Sequence, residues 1–424
     1  MTPCVSLDAR QRFEQYLARI GTFLWDCRQR ASFATYTLGL LSELPRKSVE
    51  PIAALFTPDP AATDAAHQRL LHFLCDAPWP DHDLRRLAAR YALEPMTQHG
   101  PVHALILDDT AFPKSGPHSV GVQPQYCGAL GKVANCQVAV SLTLATPHSH
   151  LPVDMRLYLP KSWLEDPERC RRARIPDSAT FQTKPQLGLQ MIREALRDGL
   201  PAGVVLADAA FGDSSDFRRG VRELDLDYIV GIHLSTLVQL VHNEEESLPV
   251  QALLDRLSAR TFRRYTWREG SRKRLSARFA FVPVRTAKDE PEQTLWLILE
   301  RRDGAVRQDR AYLSSLPPWT PKKQLVYLLK ERWRTEAAYR EMKNELGLDH
   351  YEGRRYTGFT HHVTAVLCTY AFVVAERDRA FPPRAARRRR PGAQPPPEAA
   401  AHGALAADGA TARGRGDGAV AGAL

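Results

Sequence analysis

Two short apolar runs, each followed by an acidic residue, constrain the fold of this chain more than any other feature. The run at 104–107 leads into Asp108 and Asp109, and the run at 204–207 leads into Asp208. Short apolar runs that end at polar residues are typical of buried strands. We therefore predict these acids at strand ends, where carboxylates from neighbouring strands can lie close together.

A third acid, Glu336, lies in a segment with helical spacing. Residues three or four positions apart share one face of a helix. A carboxylate flanked by cations on such a face suits chemistry at a phosphodiester, because the acid binds a divalent metal and the cations bind phosphate oxygens. The alternative that the periodicity leaves open is a solvated helix with ordinary ion pairs. The face contains Leu329, Arg332, Glu336, Tyr339 or Arg340, and Lys343.

Composition narrows the class of protein. A length of 424 residues predicts two or three domains, and 44% hydrophobic with 25% charged residues is typical of a globular protein. The chain has no apolar run of membrane-spanning length and no N-terminal signal pattern, so we expect a cytoplasmic protein without a membrane partner. The seven cysteines include no Cys-x-x-Cys pair. This predicts reduced thiols rather than a zinc site or disulfides.

Positive charge is concentrated in one stretch. The formal net charge is +10, and residues 255–278 contain nine Arg or Lys against two acids. Such a local excess is typical of a DNA-contact surface. The stretch includes Trp267, Arg272, Lys273 and Arg274.

The order of predicted elements indicates a fold class. Between residues 101 and 235 the pattern reads β-β-β-α-β-α-β, which is the order of a ribonuclease H-like fold. Its first and fourth strands are neighbours, which would place Asp108 beside Asp208. We therefore predict an α/β protein with a mixed sheet and flanking helices. The predicted strands are 103–107, 137–145, 151–159, 203–207 and 228–232, and the helices are 186–197 and 215–224.

Five segments follow from this organisation. The N-terminal segment reads as helices, for which DNA-end binding and a simple structural cap are both open. The last segment is rich in Ala, Gly, Pro and Arg, so we expect it to be disordered. It is either a non-specific DNA-binding tail or a degenerate or frameshifted end without function. The segments are 1–100 (helical), 101–235 (core, first part), 236–312 (β-rich basic insertion), 313–380 (core, second part) and 381–424 (tail).

Several motifs resemble those of bacterial insertion-sequence DDE transposases. Arg332, Glu336 and Lys343 match the signature Tyr-x-x-Arg-x-x-x-Glu-x-x-x-x-x-x-Lys, with Leu329 in place of the tyrosine. Four further stretches are similar to the DDE superfamily endonuclease branch of that group. The resemblance extends from Arg12 to about residue 378. The four stretches are 107–114 (LDDTAFPK), 157–163 (LYLPKSW), 207–212 (ADAAFG) and 345–354 (ELGLDHYEGR).

The resemblance implies roles for individual residues. Asp108, Asp208 and Glu336 would be the catalytic, metal-binding triad. Asp109 is the alternative to Asp108, which fits the Asp-x-Thr pattern better. Two Mg²⁺ ions, with Mn²⁺ as a substitute, would support cleavage at the element's ends and strand transfer into target DNA.

The same resemblance implies how DNA would be held. Arg332 and Lys343, with Arg340 on the same helix, would contact the backbone of double-stranded DNA, and a homodimer would bridge two DNA ends. The hydroxyl lost at Leu329 would be absent or supplied by Tyr339. Related enzymes stack a flipped base on an aromatic residue in the region of Trp267, but a residue of the hydrophobic core is the interpretation that the sequence favours there. Two other functions remain open: an inactive DNA-binding descendant, and a metal-dependent nuclease without strand transfer.

Overall fold

The N-terminal part of the chain is helical, as its periodicity predicts. The computed structural model describes residues 8–57, 59–241, 243–269, 274–286, 293–302 and 308–381. Asp8 caps the first helix in a capping box with Gln11. The third helix contains Pro51, although proline breaks a helix when it lies in the interior. Pro51 lies in the first turn, where its missing N–H has no intrahelical partner to lose. The helices are α1 (Ala9–Gly21), α2 (Cys27–Leu41), α3 (Val49–Phe56), α4 (Pro60–Cys75) and α5 (Asp81–Thr97).

Twelve strands of the described residues form one mixed sheet. This confirms the predicted α/β class with a helical N-terminal region. The seven elements predicted between residues 101 and 235 are all present, although their bounds differ. The strands are β1 (Ala104–Pro113), β2 (Gln123–Cys127), β3 (Lys132–Ala145), β4 (His150–Leu157), β5 (Val204–Ala207), β6 (Tyr228–Ile232), β7 (Leu237–Leu240), β8 (Asn243–Pro249), β9 (Arg263–Glu269), β10 (Arg274–Arg285), β11 (Leu295–Arg302) and β12 (Gln308–Ser314).

The order of the central strands follows from their pairing. β1 is parallel to β5, and β5 is parallel to β6, while β3 is antiparallel to both β1 and β4. One part of the sheet therefore has the order β4-β3-β1-β5-β6. β12 pairs with β6 and is followed by β11, β10, β7 and β8. The β-rich segment after residue 235 thus continues the same sheet.

β1 is longer than the sequence indicated. It was predicted to end at Leu107, but it pairs with β3 from Ala104 to Pro113. Asp108 therefore lies within a strand, not after one. The extension remains mostly buried, and its polar residues find partners within the fold, such as Arg332 for Asp108 and Lys184 for Asp109.

Helices cover both faces of the sheet. On one face, α8 packs so closely that a Cβ on Gly188 would lie 2.9 Å from the side chain of Leu107. On the other face, Leu325 and Leu329 share a buried cluster with Ile106. The remaining helices are α6 (Lys161–Leu164), α7 (Pro167–Ala173), α8 (Lys184–Arg197), α9 (Ala209–Gly212), α10 (Ser215–Arg222), α11 (Val250–Arg256), α12 (Lys322–Lys330), α13 (Trp333–Leu346) and α14 (Tyr356–Ala380), with a short 3-10 helix at Ala259–Thr261.

The segment predicted as one helix from Lys322 to Leu346 consists of two. α12 and α13 are separated by a turn at Glu331 and Arg332. Helical spacing does not reveal this break, because the segment has neither glycine nor proline near the turn. Tertiary contacts of Glu331, described below, account for it.

α14 connects the N-terminal helices with the sheet. The hydroxyl of Tyr16 donates to the carbonyl of Cys368 at 2.8 Å, and Arg12 forms a bidentate pair with Glu376. Among the described residues, α14 is the one helix long and apolar enough to cross a membrane, but 89% of its most apolar window is buried in the protein. A mostly buried helix of this kind is typical of the core of a globular fold. The segment 382–424, expected to be disordered, lies outside the described residues.

Candidate active site

The pairing of β1 with β5 brings two acids to the same level of the sheet. The register joins Ala104 with Val204 and Ile106 with Leu206, so positions that differ by one hundred lie side by side. Asp208 follows directly after β5 and caps α9, accepting a hydrogen bond from the backbone of Ala210 at 3.0 Å.

Arg332 contacts both aspartates. Its Nη2 atom lies 3.3 Å from Oδ2 of Asp108 and 3.9 Å from Oδ2 of Asp208. Arg332 occupies the turn between α12 and α13, and this position places its guanidinium over the two strand ends. The predicted meeting of Asp108 and Asp208 therefore takes place around a shared cation.

Burial controls the protonation of Asp108. Only 8% of the residue is exposed, and this burial is the main cause that raises its pKa to about 7, with Asp208 adding to the rise and Arg332 opposing it. The pKa of Arg332 is raised: burial alone would lower it, but Asp108 and Asp208 raise it more. The site thus holds closely balanced charges, and a further cation would stabilise the ionised form of Asp108.

Asp109 points to the opposite face of β1. Successive side chains of a strand alternate between faces, so Asp109 shares a face with Leu107 and α8. Its Oδ2 atom accepts a hydrogen bond from Lys184 Nζ at 2.6 Å. Sequence reasoning missed Lys184, because the first residue of a helix carries no signal for a partner 75 positions earlier. The geometry favours Asp108 over Asp109 as the acid that faces Asp208.

Glu336 lies in the first turn of α13 and is exposed to solvent. It is one helical turn after Arg332 and adds to the rise in the pKa of that guanidinium, after burial, Asp108, Asp208 and Tyr312. Within the described part of the chain, no three acidic, histidine or cysteine residues are close enough to hold a metal ion. The structure brings together Asp108 and Asp208 around Arg332, and Glu336 follows Arg332 by one helical turn on α13.

Buried ion pairs hold the turn that carries Arg332. Glu331 is buried, accepts a hydrogen bond from Arg334 and lies 3.2 Å from Nε2 of His103, just before β1. Arg334 also donates to the carbonyl of Pro147 at 2.9 Å. These contacts with the start of β1 and the loop after β3 explain why one predicted helix is split in two. None of these residues was a predicted site residue.

Lys343 is bound to β1 in this structure. Its ammonium donates to Oγ1 of Thr110 at 2.9 Å and to the carbonyl of Ala111 at 3.0 Å. Burial lowers its pKa. Arg340, on the same helix, is exposed. Lys343 thus ties α13 to the strand that carries Asp108.

The position of the missing signature tyrosine is buried. Leu329 is 4% exposed and packs in the cluster beneath the sheet. Tyr339 is also buried, and its hydroxyl is 2.5 Å from Oγ of Ser141 on β3. Tyr339 therefore does not supply a free hydroxyl in place of Leu329.

The basic stretch forms a hairpin of β9 and β10. Trp267 is partly buried, packs edge-on against Phe279, and has Lys330 Nζ 4.7 Å from its ring centre. Arg263 and Arg264 of β9 are exposed. Arg272 and Lys273 lie outside the described residues, and for Arg274 only the backbone, at the start of β10, is described.

Two glycines allow α9 to lie directly on β6. A Cβ on Gly212 would be 2.0 Å from the carbonyl oxygen of Gly231, and one on Gly231 would be 2.9 Å from the backbone nitrogen of Ala209. Such distances are too short for any side chain. Because Asp208 caps α9, both glycines determine where its carboxylate lies.

The histidine pair after α13 is structural. His361 donates from Nδ1 to the carbonyl of Leu74 at 2.9 Å. His362 donates from Nε2 to the carbonyl of Leu348 at 3.1 Å, and its Nδ1 is 2.8 Å from the hydroxyl of Tyr36. Burial lowers the pKa of each to about 4. Both rings are thus used in hydrogen bonding and packing within the fold.

Comparison with known proteins identifies the class that this fold and paired acids define. A family model described as DDE superfamily endonuclease matches residues 23–274, and one described as Transposase DDE domain matches residues 182–372. The chain belongs to the DDE superfamily endonuclease family. Enzymes of this superfamily are in general dependent on divalent metals.

A relative adds the biological context. The chain is 27% identical over 333 residues to the "Probable transposase for insertion sequence element IS701" of Microchaete diplosiphon, covering 77% of this chain and 79% of the relative. Together with the two family models, this shows an insertion-sequence transposase that acts on DNA. A solved structure, the NurA nuclease from Sulfolobus solfataricus, matches with 11% identity and a TM-score of 0.26 over 62% of this chain and 92% of that one.

Proposed function

We propose that Asp108, Asp208 and Glu336 are the acids with which this transposase cleaves DNA at the ends of its element and joins the freed strand to target DNA. The observation that carries the proposal is the contact of one arginine, Arg332, with both aspartates. Two acids distant in sequence, brought together beside a cation, suit reaction at a phosphodiester. Asp109, ion-paired on the other face, takes no part.

The proposed core is ribonuclease H-like. The order β4-β3-β1-β5-β6, with helices on both faces, supports this assignment. In it, 101–235 and 313–380 form the two parts of the core, and 236–312 is a β-rich insertion that lengthens the sheet. Residues 1–100 are the proposed helical segment for DNA ends, and 381–424 the tail.

The two aspartates fit a divalent metal. Carboxylate oxygens are preferred ligands of Mg²⁺, and burial raises the pKa of Asp108 to about 7, so a divalent cation bound there would favour its ionised form. Asp108 and Asp208 would hold the metal, with Glu336 as the third acid. Two Mg²⁺ ions, or Mn²⁺ in their place, would activate the attacking oxygen and stabilise the leaving one.

The remaining site residues would orient the DNA and the acids. Arg332 offers a planar guanidinium that binds a phosphate bidentately once it leaves the aspartates. Lys343, through Thr110 and Ala111, holds β1 against α13 and thereby fixes Asp108 relative to Glu336. Arg340 is exposed on the same helix and would contact the backbone directly.

The proposed substrate is double-stranded DNA, held in part by the β9–β10 hairpin. The exposed arginines at 263 and 264 support backbone contacts there. Trp267 would have to leave its packing against Phe279 to stack on a base. We further propose a homodimer that bridges two DNA ends, in the bacterial cytoplasm with the nucleoid and without a membrane partner.

Excision of a marker flanked by the DNA that borders this gene tests the proposal. Wild type should excise the marker and Glu336→Ala should not. Glu345→Ala is the matched control, because Glu345 is an exposed glutamate of the same helix. Cleaved ends without joined products would indicate a nuclease that lacks strand transfer. Bound DNA without cleavage by wild type would indicate an inactive binder.

A further inference from the structure

A basic cavity lies outside the candidate active site. Its volume is about 300 Å³. It lies between the loop that follows β1 and the Arg-rich segment that contains α6 and α7. The described residues that line it include no acid. They are His118, Trp163, Arg169, Arg172, Ala173 and Arg354.

Hydrogen bonds between three chain segments build the walls of this cavity. The loop at 114–122 receives a hydrogen bond from Arg169, whose Nη2 donates to the carbonyl of Pro117 at 2.9 Å. The same loop donates from the backbone of Val120 to the carbonyl of Arg354 at 3.2 Å. The cavity is thus formed by the fold itself and does not depend on chance side-chain positions.

Arg169 forms the rigid wall of the cavity. Its guanidinium lies 3.7 Å from the ring centre of Trp163, and the indole N–H donates to the carbonyl of Val122 at 2.8 Å. Burial, with a contribution from Arg172 that Asp166 opposes, lowers the pKa of Arg169. Positive charge is therefore held here at a cost that a bound anion would relieve.

Arg172 and Arg354 remain available to a ligand. The Arg172 side chain is 66% exposed, and its ion-pair partner Glu168 is at 4.0 Å. Arg354 is exposed, and its guanidinium has no hydrogen-bond or ion-pair partner among the described residues. Two exposed guanidiniums beside a third that is hydrogen-bonded to the loop suit the binding of phosphate oxygens.

The cavity lies in the direction in which β1 leaves the active site. β1 runs five residues from Asp108 to its end at Pro113, roughly 17 Å at the usual rise of a strand, and the loop follows directly. Arg354 follows α13, which carries Glu336. β1, which carries Asp108, and α13, which carries Glu336, are thus each followed by a segment that contributes to this cavity.

We propose that the cavity binds the phosphate backbone of the same DNA duplex that is cut, on the order of five base pairs from the cleaved bond, given about 3.4 Å per base pair. The position rests on the proposed function, because it is counted from Asp108. The binding itself follows from the charge and shape of the cavity. No base contact is implied, since guanidiniums recognise phosphates regardless of sequence.

The test is the salt dependence of DNA binding, measured by fluorescence anisotropy with a labelled duplex from the DNA bordering this gene. The double variant Arg172→Gln/Arg354→Gln should lose about two phosphate contacts and reduce the slope of log Kd against log salt by about two. The control Arg193→Gln/Arg197→Gln removes the same charge from exposed positions on α8 and should leave the slope unchanged. An unchanged slope in the first variant, or an equal reduction in the control, contradicts the proposal.

Binding is measured in EDTA, which removes the divalent metals that the proposed cleavage requires. The binding result therefore does not depend on whether the proposed catalysis is correct. If the double variant does not fold, Arg172→Gln alone should reduce the slope by about one. Inorganic phosphate, added at constant ionic strength, tests whether the cavity binds a free anion instead of a DNA duplex. If wild type binds millimolar phosphate more tightly than the double variant does, while both bind DNA alike without phosphate, the cavity is a small-anion site and the proposal is wrong.

Discussion

The side chain of Asp108 lies on one face of β1, and Lys184 of α8 lies on the other. Lys184 binds Asp109, the next residue of β1, at 2.6 Å, and neighbouring side chains of a strand alternate between faces. This relationship separates the two aspartates that the sequence presents as equivalent. Asp109 is neutralised by a partner on α8, whereas Asp108 meets Asp208 and Arg332 on the side of α12 and α13.

The first prediction compares these two aspartates. Asp108→Asn should reduce DNA cleavage by at least about 100-fold, since a lost metal ligand costs more than a lost supporting contact. Asp109→Asn should keep most activity and change the free energy of unfolding by about 1 kcal/mol or less, as its ion pair is partly exposed. Single-turnover cleavage of end DNA checks both. A larger loss in the Asp109 variant would reverse the assignment.

The second prediction concerns the glycines beneath Asp208. Gly212→Ala should displace α9 from β6 and lower the free energy of unfolding by about 1–3 kcal/mol. Cleavage should fall further than this loss explains, because Asp208 moves with α9. Gly128→Ala is the control, since its Cβ would meet nothing within 4 Å. Urea unfolding and cleavage at a temperature where both variants are folded give the comparison.

The third prediction is a loss of stability below neutral pH. The folded pKa values of His361 and His362 are about 4 because burial disfavours their charged forms, against about 6.5 when unfolded. Between these values the unfolded chain binds more protons, so stability falls as pH decreases from 6.5 to 4. Each histidine contributes at most about 3 kcal/mol.

Urea midpoints at pH 7 and pH 4.5 measure this effect. His362→Gln should be less stable at pH 7 and should show a smaller change between the two pH values. His150, whose pKa burial lowers to about 3, adds to the same trend. An equal pH dependence in wild type and variant would show that the pKa of His362 is the same in the folded and unfolded chain and would contradict the prediction.

The fourth prediction concerns a buried carboxylate between α5 and the sheet. Asp154 is 0% exposed and lies 3.1 Å from Arg85 and 2.8 Å from Arg156. Its burial opposes ionisation, but these arginines and Arg86 lower its pKa to about 2. Asp154→Asn should destabilise the protein by about 3–5 kcal/mol, because the arginines lose their counter-charge.

Thermal or urea unfolding at pH 7 checks the fourth prediction. Glu14→Gln breaks an exposed pair with Arg10 and should change stability by less than about 1 kcal/mol. Equal effects of the two substitutions would mean that Asp154 is not required to balance the buried arginines.

Much of the architecture follows from local patterns. The apolar runs before Asp108 and Asp208, the helical spacing around Glu336 and the cap at Asp8 each depend on residues close in the chain. Burial of a strand or of one helix face leaves a periodic trace in the sequence itself. For this reason the α/β class, the helical N-terminal region and most elements of the core are predictable, although their bounds are less so.

What the sequence alone determined is therefore the fold class, most elements of the core and the candidate acids. Only the tertiary structure decided which aspartate of β1 faces Asp208, where α12 ends, and what Lys343 binds. These outcomes depend on Lys184, on Glu331 and on the register of β1 with β5. Contacts between residues far apart in the chain leave no periodic trace, because either partner alone is compatible with many environments.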